Sequence, residues 1–367
     1  MKNLPIELSK SLNASIKSMK LPAINSSPKN KSDLLASSKY LRVSPRLHNT
    51  EKSRIPEISN TACSQKRCGY VLRYAANTNK GQFRNNNEDR LSIVINIPCP
   101  STFSPDSWPH SSFFGIYDGH GGKSCANFLK DNLHKFTFES EFFPTRPKQA
   151  LIDGFNKAES EFSQWAKTQN DHSGSCAVIV MVLGGKCYIA NTGDSRAILS
   201  SRHGEKILRI TKDHKPDEPS EYQRIMQAGG NIVTHSYPVI NSQGVRIGAN
   251  ISRVVPGNLA VSRCFGDIDI KTAGVIIHIP ELKSFRLTED FDFILMGSDG
   301  IFDKLTDKEV IDIVWRNFER EKNVKDKVCC AVEDVMRYSM LKGSEDNISV
   351  ILILFKGLKE VMLSVNK

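Results

Sequence analysis

The sequence predicts an α+β fold of antiparallel strands with helices that come in pairs, and three observations predict it. Short apolar or alternating runs recur between turns rich in Gly, Asn and Asp, which is how strands joined by tight connections read. Two pairs of longer stretches, 121–136 with 147–169 and 306–319 with 325–340, carry apolar residues at helical spacing instead. Finally, an acid recurs where an apolar run stops. It does so in Phe114-Gly115-Ile116-Tyr117-Asp118-Gly119-His120-Gly121-Gly122 and again in Phe291-Asp292-Phe293-Ile294-Leu295-Met296-Gly297-Ser298-Asp299-Gly300.

Composition narrows the class. The chain has 367 residues, 39% hydrophobic and 25% charged, as expected of a soluble globular protein with a sizeable core. Its longest apolar run, around Cys176 to Leu183, falls well short of the roughly 18 residues a membrane helix requires. A spanning protein is therefore not expected, and Met1-Lys2-Asn3-Leu4-Pro5 offers neither a signal core nor a glycine for N-myristoylation. Nine cysteines, odd in number and without a Cys-x-x-Cys pair, argue against a disulfide framework and a structural zinc site. A reducing compartment, cytoplasmic and/or nuclear, is expected. None of the nine has an arginine six positions later, so the phosphate-binding loop of cysteine-dependent phosphatases is absent.

The net charge of +10 is unevenly placed. Residues 1–68 are rich in Ser, Asn, Lys and Pro without apolar periodicity, and are expected to form a disordered basic tail. Such a tail is either a solubilising arm or a peripheral contact for acidic membranes or partners, and stable nucleic-acid binding is not expected. The folded domain is expected over 69–356, followed by a short extension over 357–367.

Within the domain, 70–75 and 91–95 read as the first strands, and the Asn-rich stretch Gly81 to Arg90 between them as a loop. Ser112 to Tyr117 reads as a buried strand ending at Asp118. Glycines on both sides of His120 let the backbone turn sharply and approach a bound group. Taken alone, this nonapeptide is equally a strand-to-helix turn with a capping Asp and a solvated His. After the first helix pair come strands at 176–183, 186–190 and 196–200, with Gly193-Asp194 as a turn between the last two. A helix over 220–228 is stopped by Gly229-Gly230, and 231–258 reads as a long, poorly periodic loop of functional size. The strand ending at Asp299, the second helix pair and a last strand over 348–355, entered just after Asp346, complete the chain.

Asp89, Asp118, Asp299 and Asp346 each stand at one end of an expected strand. Packed sheets can gather such ends, and carboxylates gathered without a counter-charge repel one another. A divalent metal is the natural counter-charge, and oxygen ligands without a His/Cys cluster favour Mg2+ or Mn2+ over zinc.

Seven blocks then carry a resemblance. Arg84-x3-Glu88-Asp89, Tyr117-Asp118-Gly119-His120-Gly121-Gly122, Gly193-Asp194-Ser195-Arg196, Asp213-His214-Lys215-Pro216, Leu259-Ala260-Val261-Ser262-Arg263, Ser298-Asp299-Gly300-Ile301-Phe302-Asp303 and Asp346-Asn347-Ile348-Ser349-Val350 occur in the order seen in metal-dependent type 2C serine/threonine protein phosphatases, which the chain resembles from about 69 to 356. The resemblance implies two packed antiparallel β-sheets flanked by helix pairs, an α-β-β-α sandwich, with a two-metal centre at one edge. By analogy Asp89 bridges both metals, Asp118 and the Gly119 carbonyl hold one, Asp299 and Asp346 hold the other, and Glu88 reaches them through water. Asp194 and Asp303, with Asp299, resemble a weaker third-metal site. Arg84 resembles the phosphate clamp and His120 the general acid. The implied reaction is hydrolysis of phosphoserine or phosphothreonine in phosphoproteins by a metal-bridging hydroxide, without a phosphoenzyme, carried out by a monomer.

Two departures stand out. Cys176 replaces the Thr that is common in the family, and the 231–258 stretch is longer than in many relatives. It lies where the family carries a flap beside the active site, so Arg253 is a candidate substrate-positioning residue. Two other readings compete: a catalytically inactive relative that serves as a binding module, and a phosphohydrolase of small phosphate esters. The first is expected to lose metal acids or the arginine, which are all present. The second lacks a nucleotide-binding glycine fingerprint.

Overall fold

Alternation inside the apolar runs decides how the layers stack. In a strand, successive side chains point to opposite faces. Here both faces of the central strands are apolar, so each sheet must be covered twice. The computed structural model describes residues 58, 61–64, 66–99, 104–240, 246–271, 274–321 and 323–358. The expected tail thus lies outside the described residues except for 58, 61–64 and 66–68, and the C-terminal extension except for 357 and 358.

Among the described residues sixteen strands are formed, in chain order β1 (Ala62–Ser64), β2 (Val71–Asn79), β3 (Arg90–Ile95), β4 (Ser111–Tyr117), β5 (Gly119–His120), β6 (Gly174–Ser175), β7 (Ala177–Leu183), β8 (Lys186–Thr192), β9 (Arg196–Ser201), β10 (Lys206–Arg209), β11 (Asn231–Ile240), β12 (Arg246–Val255), β13 (Phe265–Gly266), β14 (Glu281–Arg286), β15 (Phe291–Gly297) and β16 (Ile348–Phe355). Six α-helices of the described residues join them: α1 (Ser124–Glu139), α2 (Pro147–Gln169), α3 (Pro219–Gln227), α4 (Asp299–Phe302), α5 (Asp307–Arg320) and α6 (Val324–Leu341). One sheet has the order β1-β2-β16-β15-β9-β10, and the other β14-β8-β7-β4-β3, with every adjacent pair antiparallel. A small sheet β13-β6-β5 lies beside the second.

The two sheets face each other across one apolar layer. From the first, β15 contributes Ile294 and Met296 and β16 contributes Ile351, Ile353 and Phe355; from the second come Phe114, Ile116, Val178, Val180 and Val182. The alternate residues of the same strands serve the outer layers. Phe293, Leu295, Val350 and Leu352 pack under α5 and α6 with Val314, Phe318 and Val335. Phe113, Ile179 and Met181 pack under α1 and α2 with Leu129, Phe155 and Phe162. This is the expected α-β-β-α sandwich. The strands expected at 91–95, 112–117, 176–183 and 348–355, and both helix pairs, lie within a residue or a few of where the pattern predicts them.

The 231–258 stretch is a correction. It is no loop: β11 and β12 pair antiparallel from Asn231↔Val255 to Ile240↔Arg246 as a two-stranded ribbon. A ribbon covered on neither side by a sheet needs no apolar alternation, so the period that marks a half-buried strand is missing from it. Strands β10 and β14 lie at sheet edges and were unmarked for the same reason, their residues being mostly half-buried or exposed. Strand β1 lies before the expected start of the domain at Gly69 and extends the first sheet by pairing with β2.

Helix pairing within the second outer layer depends on one close approach. Gly154 of α2 faces Thr137 of α1 so closely that a Cβ would lie 2.5 Å from its Oγ1 and 3.0 Å from its backbone nitrogen. Gly154→Ala should therefore destabilise the fold by about 1–3 kcal/mol in a denaturant titration, although alanine is the better helix former by about 1 kcal/mol. A stabilised variant would show that the helices separate freely.

Candidate metal centre

The sandwich collects strand ends into a cleft of about 850 Å3, whose lining includes Arg84, Glu88, Asp118, Gly119, His120, Asp194, Arg253, Asp299, Asp303 and Asp346. Asp118 leaves the end of β4, Asp194 stands in the turn between β8 and β9, Asp299 follows β15 at the start of α4, and Asp346 precedes β16. Asp89, just before β3, is 1% exposed, and its Oδ2 accepts a hydrogen bond from Ser349 Oγ of β16 at 2.7 Å. All ten predicted residues other than Asp89 line this one cleft, and Asp89 is coupled electrostatically to its floor through Asp346 and Asp118.

The acids differ in how their charge is met. Burial, with Asp346 adding, pushes the Asp89 carboxyl up to about 7 against the bonds from Ser349 and Ser298. Burial and then Asp299, Asp89 and Asp194 push Asp118 well above the usual carboxylate range. Burial and then Asp194, Asp303 and Asp346 do the same to Asp299. Burial also raises Asp194, but the Lys215 ammonium ion-paired to it wins and holds it below its ordinary value. For Asp303 burial outweighs Lys215 and the carboxyl stays raised. Arg84 bonds Asp346 Oδ2 at 2.7 Å. Among the described residues no ion pair reaches Asp89, Asp118 or Asp299, whereas Asp194 and Asp346 each have one.

That imbalance is a direct test of whether a cation belongs here. Asp118 Oδ2 is buried without a hydrogen-bond partner, and a buried carboxylate oxygen left unmet is costly. One oxygen each from Asp118, Asp194 and Asp299 lies within 4.8 Å of the others. The donors are all oxygen, as hard divalent cations prefer. The backbone at Gly119 fits too: a Cβ there would lie 2.6 Å from Glu88 O, so the chain can pass this close only without one. The residues fit the implied ions.

Braces around the cleft come from the remaining blocks. Asn347 ties the arginine loop to β16: it accepts from Glu88 N at 2.7 Å and donates to Asn86 O at 2.9 Å and Lys80 O at 3.0 Å. Arg196 is ion-paired to Asp213 and, at 2.8 Å, to Asp307, which fixes the segment carrying Lys215. Glu221, 2% exposed, bonds Arg224, Arg263 and Ser262; burial raises it, but the two guanidiniums overcome burial and hold it at about 2. The Leu259–Arg263 block is thus a brace anchored on α3.

Sequence reasoning missed four residues of the site. Asp267 Oδ2 lies 2.6 Å from His120 Nε2; burial lowers His120, but this hydrogen bond and charge outweigh it and raise the imidazole above its ordinary value. Cys264 Sγ donates to the same oxygen at 3.0 Å. Lys215 and Asn347 were inside quoted blocks without a role. The available signal for Asp267 was the repeat of glycine then acid at a turn, and for Lys215 the lone amine among the blocks of acids. Arg253, on β12, donates to Asn258 O at 2.7 Å and lines the cleft from the ribbon. Cys176 is buried, and its thiol donates to Asp194 Oδ1 at 3.4 Å.

A two-sheet sandwich with a buried acidic centre at one edge is the architecture of a metal-dependent phosphatase fold, and residues 74–348 match the protein phosphatase 2C family. The chain belongs to that family. It is 30% identical over 282 residues to protein phosphatase 2C homolog 2 of Hypocrea jecorina, covering 73% of this chain and 59% of that protein. It is 32% identical over 315 residues to mouse protein phosphatase 1B, covering 80% of this chain and 73% of that one. The match thus spans less than two thirds of the first relative's length. Among solved structures, a C. elegans sex determining protein aligns with a TM-score of 0.65 at 22% identity, over 83% of this chain and 69% of that one. Serine-threonine phosphatase 2C from Toxoplasma gondii aligns with a TM-score of 0.62 at 21% identity, over 82% of this chain and 100% of that one. These two share the fold.

The raised Asp89 carries a pH signature. Its folded value, about 7, stands above the ordinary 3.8, so the metal-free fold is fully favoured only below about pH 4 and loses that contribution as pH climbs toward 7. With chelator present, melting temperature should fall between pH 5 and 7.5, and Asp89→Asn should remove much of the fall. Added Mn2+ should flatten the curve of the unmodified protein. An identical slope with and without metal would count against a cation at these carboxylates.

Proposed function

We propose that this protein is a working metal-dependent serine/threonine phosphatase that hydrolyses phosphoserine and phosphothreonine in phosphoproteins. The observation that carries the reading is the convergence of three carboxylates without a bonded cation among the described residues, Asp89 buried and Asp118 and Asp299 half-buried, with an arginine at the same cleft. Asp89, Asp118, the Gly119 carbonyl, Asp299 and Asp346 would hold two ions, Mg2+ or Mn2+, with Glu88 acting through water. Asp194 and Asp303, with Asp299, would offer the weaker third position. Such ions, when bound, supply a nucleophile from water near neutral pH and neutralise phosphoryl charge.

The chain's own residues do the rest. Arg84 keeps its guanidinium half-exposed at the mouth of the cleft, where one edge stays on Asp346 and further N–H groups can bond phosphoryl oxygens. His120, favoured in its protonated form by Asp267 at Nε2, donates from its other ring nitrogen to the departing serine or threonine oxygen. Arg253 presents a second guanidinium from the ribbon side to position substrate. No side chain need form a bond to phosphorus. The thiol lining the cleft, Cys176, is pushed up by burial and by Asp194, which leaves it protonated and a poor nucleophile. Among the described residues no helix is long and apolar enough to cross a membrane. A monomer acting in a reducing compartment, cytoplasm or nucleus, fits the free cysteines.

Phosphate release from a phosphothreonine peptide should require Mn2+ or Mg2+, stop with chelator and fall about a hundredfold or more in Asp299→Asn. Arg84→Ala should raise KM more than it lowers kcat. A folded, metal-binding protein that releases no phosphate would instead be a binding module, and activity confined to small phosphate esters would point to the other reading.

A further inference from the structure

Two thiols meet at the other side of the first sheet. Thr61, next to β1, donates to Glu333 Oε1 of α6 at 2.9 Å and accepts from Asn77 Nδ2 of β2 at 2.8 Å. This contact sets the register of β1 against the helix. Two residues on, Cys63 returns to the same face of the strand, while Ala62 between them is exposed. One helical turn back from Glu333 stands Cys329. A two-residue step of about 6.7 Å along a strand and a four-residue step of about 6 Å along a helix match, so the second pair is brought together by the first. Accordingly the Cys63 thiol lies close enough to Cys329 to act on its proton.

Both cysteines are half-buried, whereas Cys68, Cys125, Cys176, Cys187 and Cys264 are buried. Burial, and then the Cys63 thiol beside it, pushes Cys329 up to about 12, so Cys329 keeps its proton. The neighbouring Cys330 lies instead among the charges of Glu321, Glu333 and Asp334.

We propose that Cys63 and Cys329 are an oxidisable pair that closes into a disulfide under hydroperoxide and latches the edge strand β1 onto helix α6. Cys63 sulfur attacks the peroxide, the O–O bond breaks, water leaves and a sulfenic acid forms. Cys329 sulfur then attacks the Cys63 sulfur, the S–S bond forms, and the sulfenic oxygen departs as water with the Cys329 proton. Two thiols lose two electrons in all, and one hydroperoxide gains them. The bond would close a loop from residue 63 to residue 329, nearly the whole domain, which restricts the unfolded chain far more than the folded one. Neither sulfur lines the catalytic cleft, so the latch changes stability and leaves the reduced enzyme's chemistry alone. Reversal needs only a thiol reductant, as is typical of regulatory disulfides in reducing compartments.

The test uses the full chain, oxidised with hydrogen peroxide and compared with a sample returned to dithiothreitol. Expected are an intact mass about 2 Da lower, a non-reducing digest that joins the peptides carrying Cys63 and Cys329, and a melting temperature higher by about 4 °C or more. Cys63→Ser and Cys329→Ser should each abolish all three changes, and Cys330→Ser should keep them. A joined peptide that pairs Cys63 with Cys330, oxygen addition without cross-linking, or a cross-link that leaves the melting temperature unchanged would overturn the proposal.

Discussion

Unmet negative charge is the constraint on which the rest of this molecule depends. Asp89, Asp118 and Asp299 are driven together with no ammonium or guanidinium of the described residues bonded to them, and burial raises all three. Isolated strands could not hold them so, because repulsion among carboxylates a few ångströms apart would splay any flexible scaffold. The sandwich can, because its sheets are covered on both faces and packed as one body around Ile294, Met296, Ile351, Phe114 and Val180. Rigidity purchased by that core is what makes a site competent to recruit a divalent cation, whose binding energy then returns to the fold by mass action.

Much of the molecule outside the cleft serves to keep the acid-bearing ends in place. Asn347 holds the arginine loop by three hydrogen bonds beside the very residue that carries the Asp346 carboxylate. Ser339 and Ser344 both donate to Gly300 O, at 2.5 and 2.7 Å, and so tie α4 and its Asp299 to the end of α6. Arg196 and Glu221 do the same for the segments carrying Lys215 and Val261. Polar groups buried this way rigidify only when every partner is present, so these braces act as units with the site they support.

Legibility in the sequence followed burial. Central strands such as Ala177–Leu183 and Ile348–Phe355 are apolar on both faces and bounded by turn residues, so they stand out at once. The β11–β12 ribbon does not, because its burial is confined to its base, at Ser252 and Val254, and is too short to impose an apolar alternation along it. The site divides in the same way. Asp118, Asp299 and Asp346 were readable because each interrupts an apolar pattern, and the family resemblance supplied roles that spacing alone could not. Asp267 and Lys215 were not readable, since their significance lies in partners 147 and 21 residues away, His120 and Asp194. Nothing local to either residue records such a partner.

Lys215 also separates the carboxylates by what a cation must displace. At Asp118 and Asp299 an arriving ion meets raised, mutually repelling acids and relieves them. At Asp194 it meets an acid already held ionised by an ammonium on the same chain, tethered in place and itself raised, after burial is overcome, by Asp194, Asp303 and Asp299. An ion that uses Asp194 must loosen that pair or share it, and the amine, being covalently attached, competes at high effective concentration. Of the acids proposed for the first two positions, Asp89, Asp118 and Asp299 have no such competitor among the described residues, and Asp346 has only the half-exposed Arg84 guanidinium. A difference in affinity between the two proposed positions and a third therefore needs no difference in ligand type, because Asp194 is already paired to a partly buried ammonium whereas Asp118 and Asp299 are not.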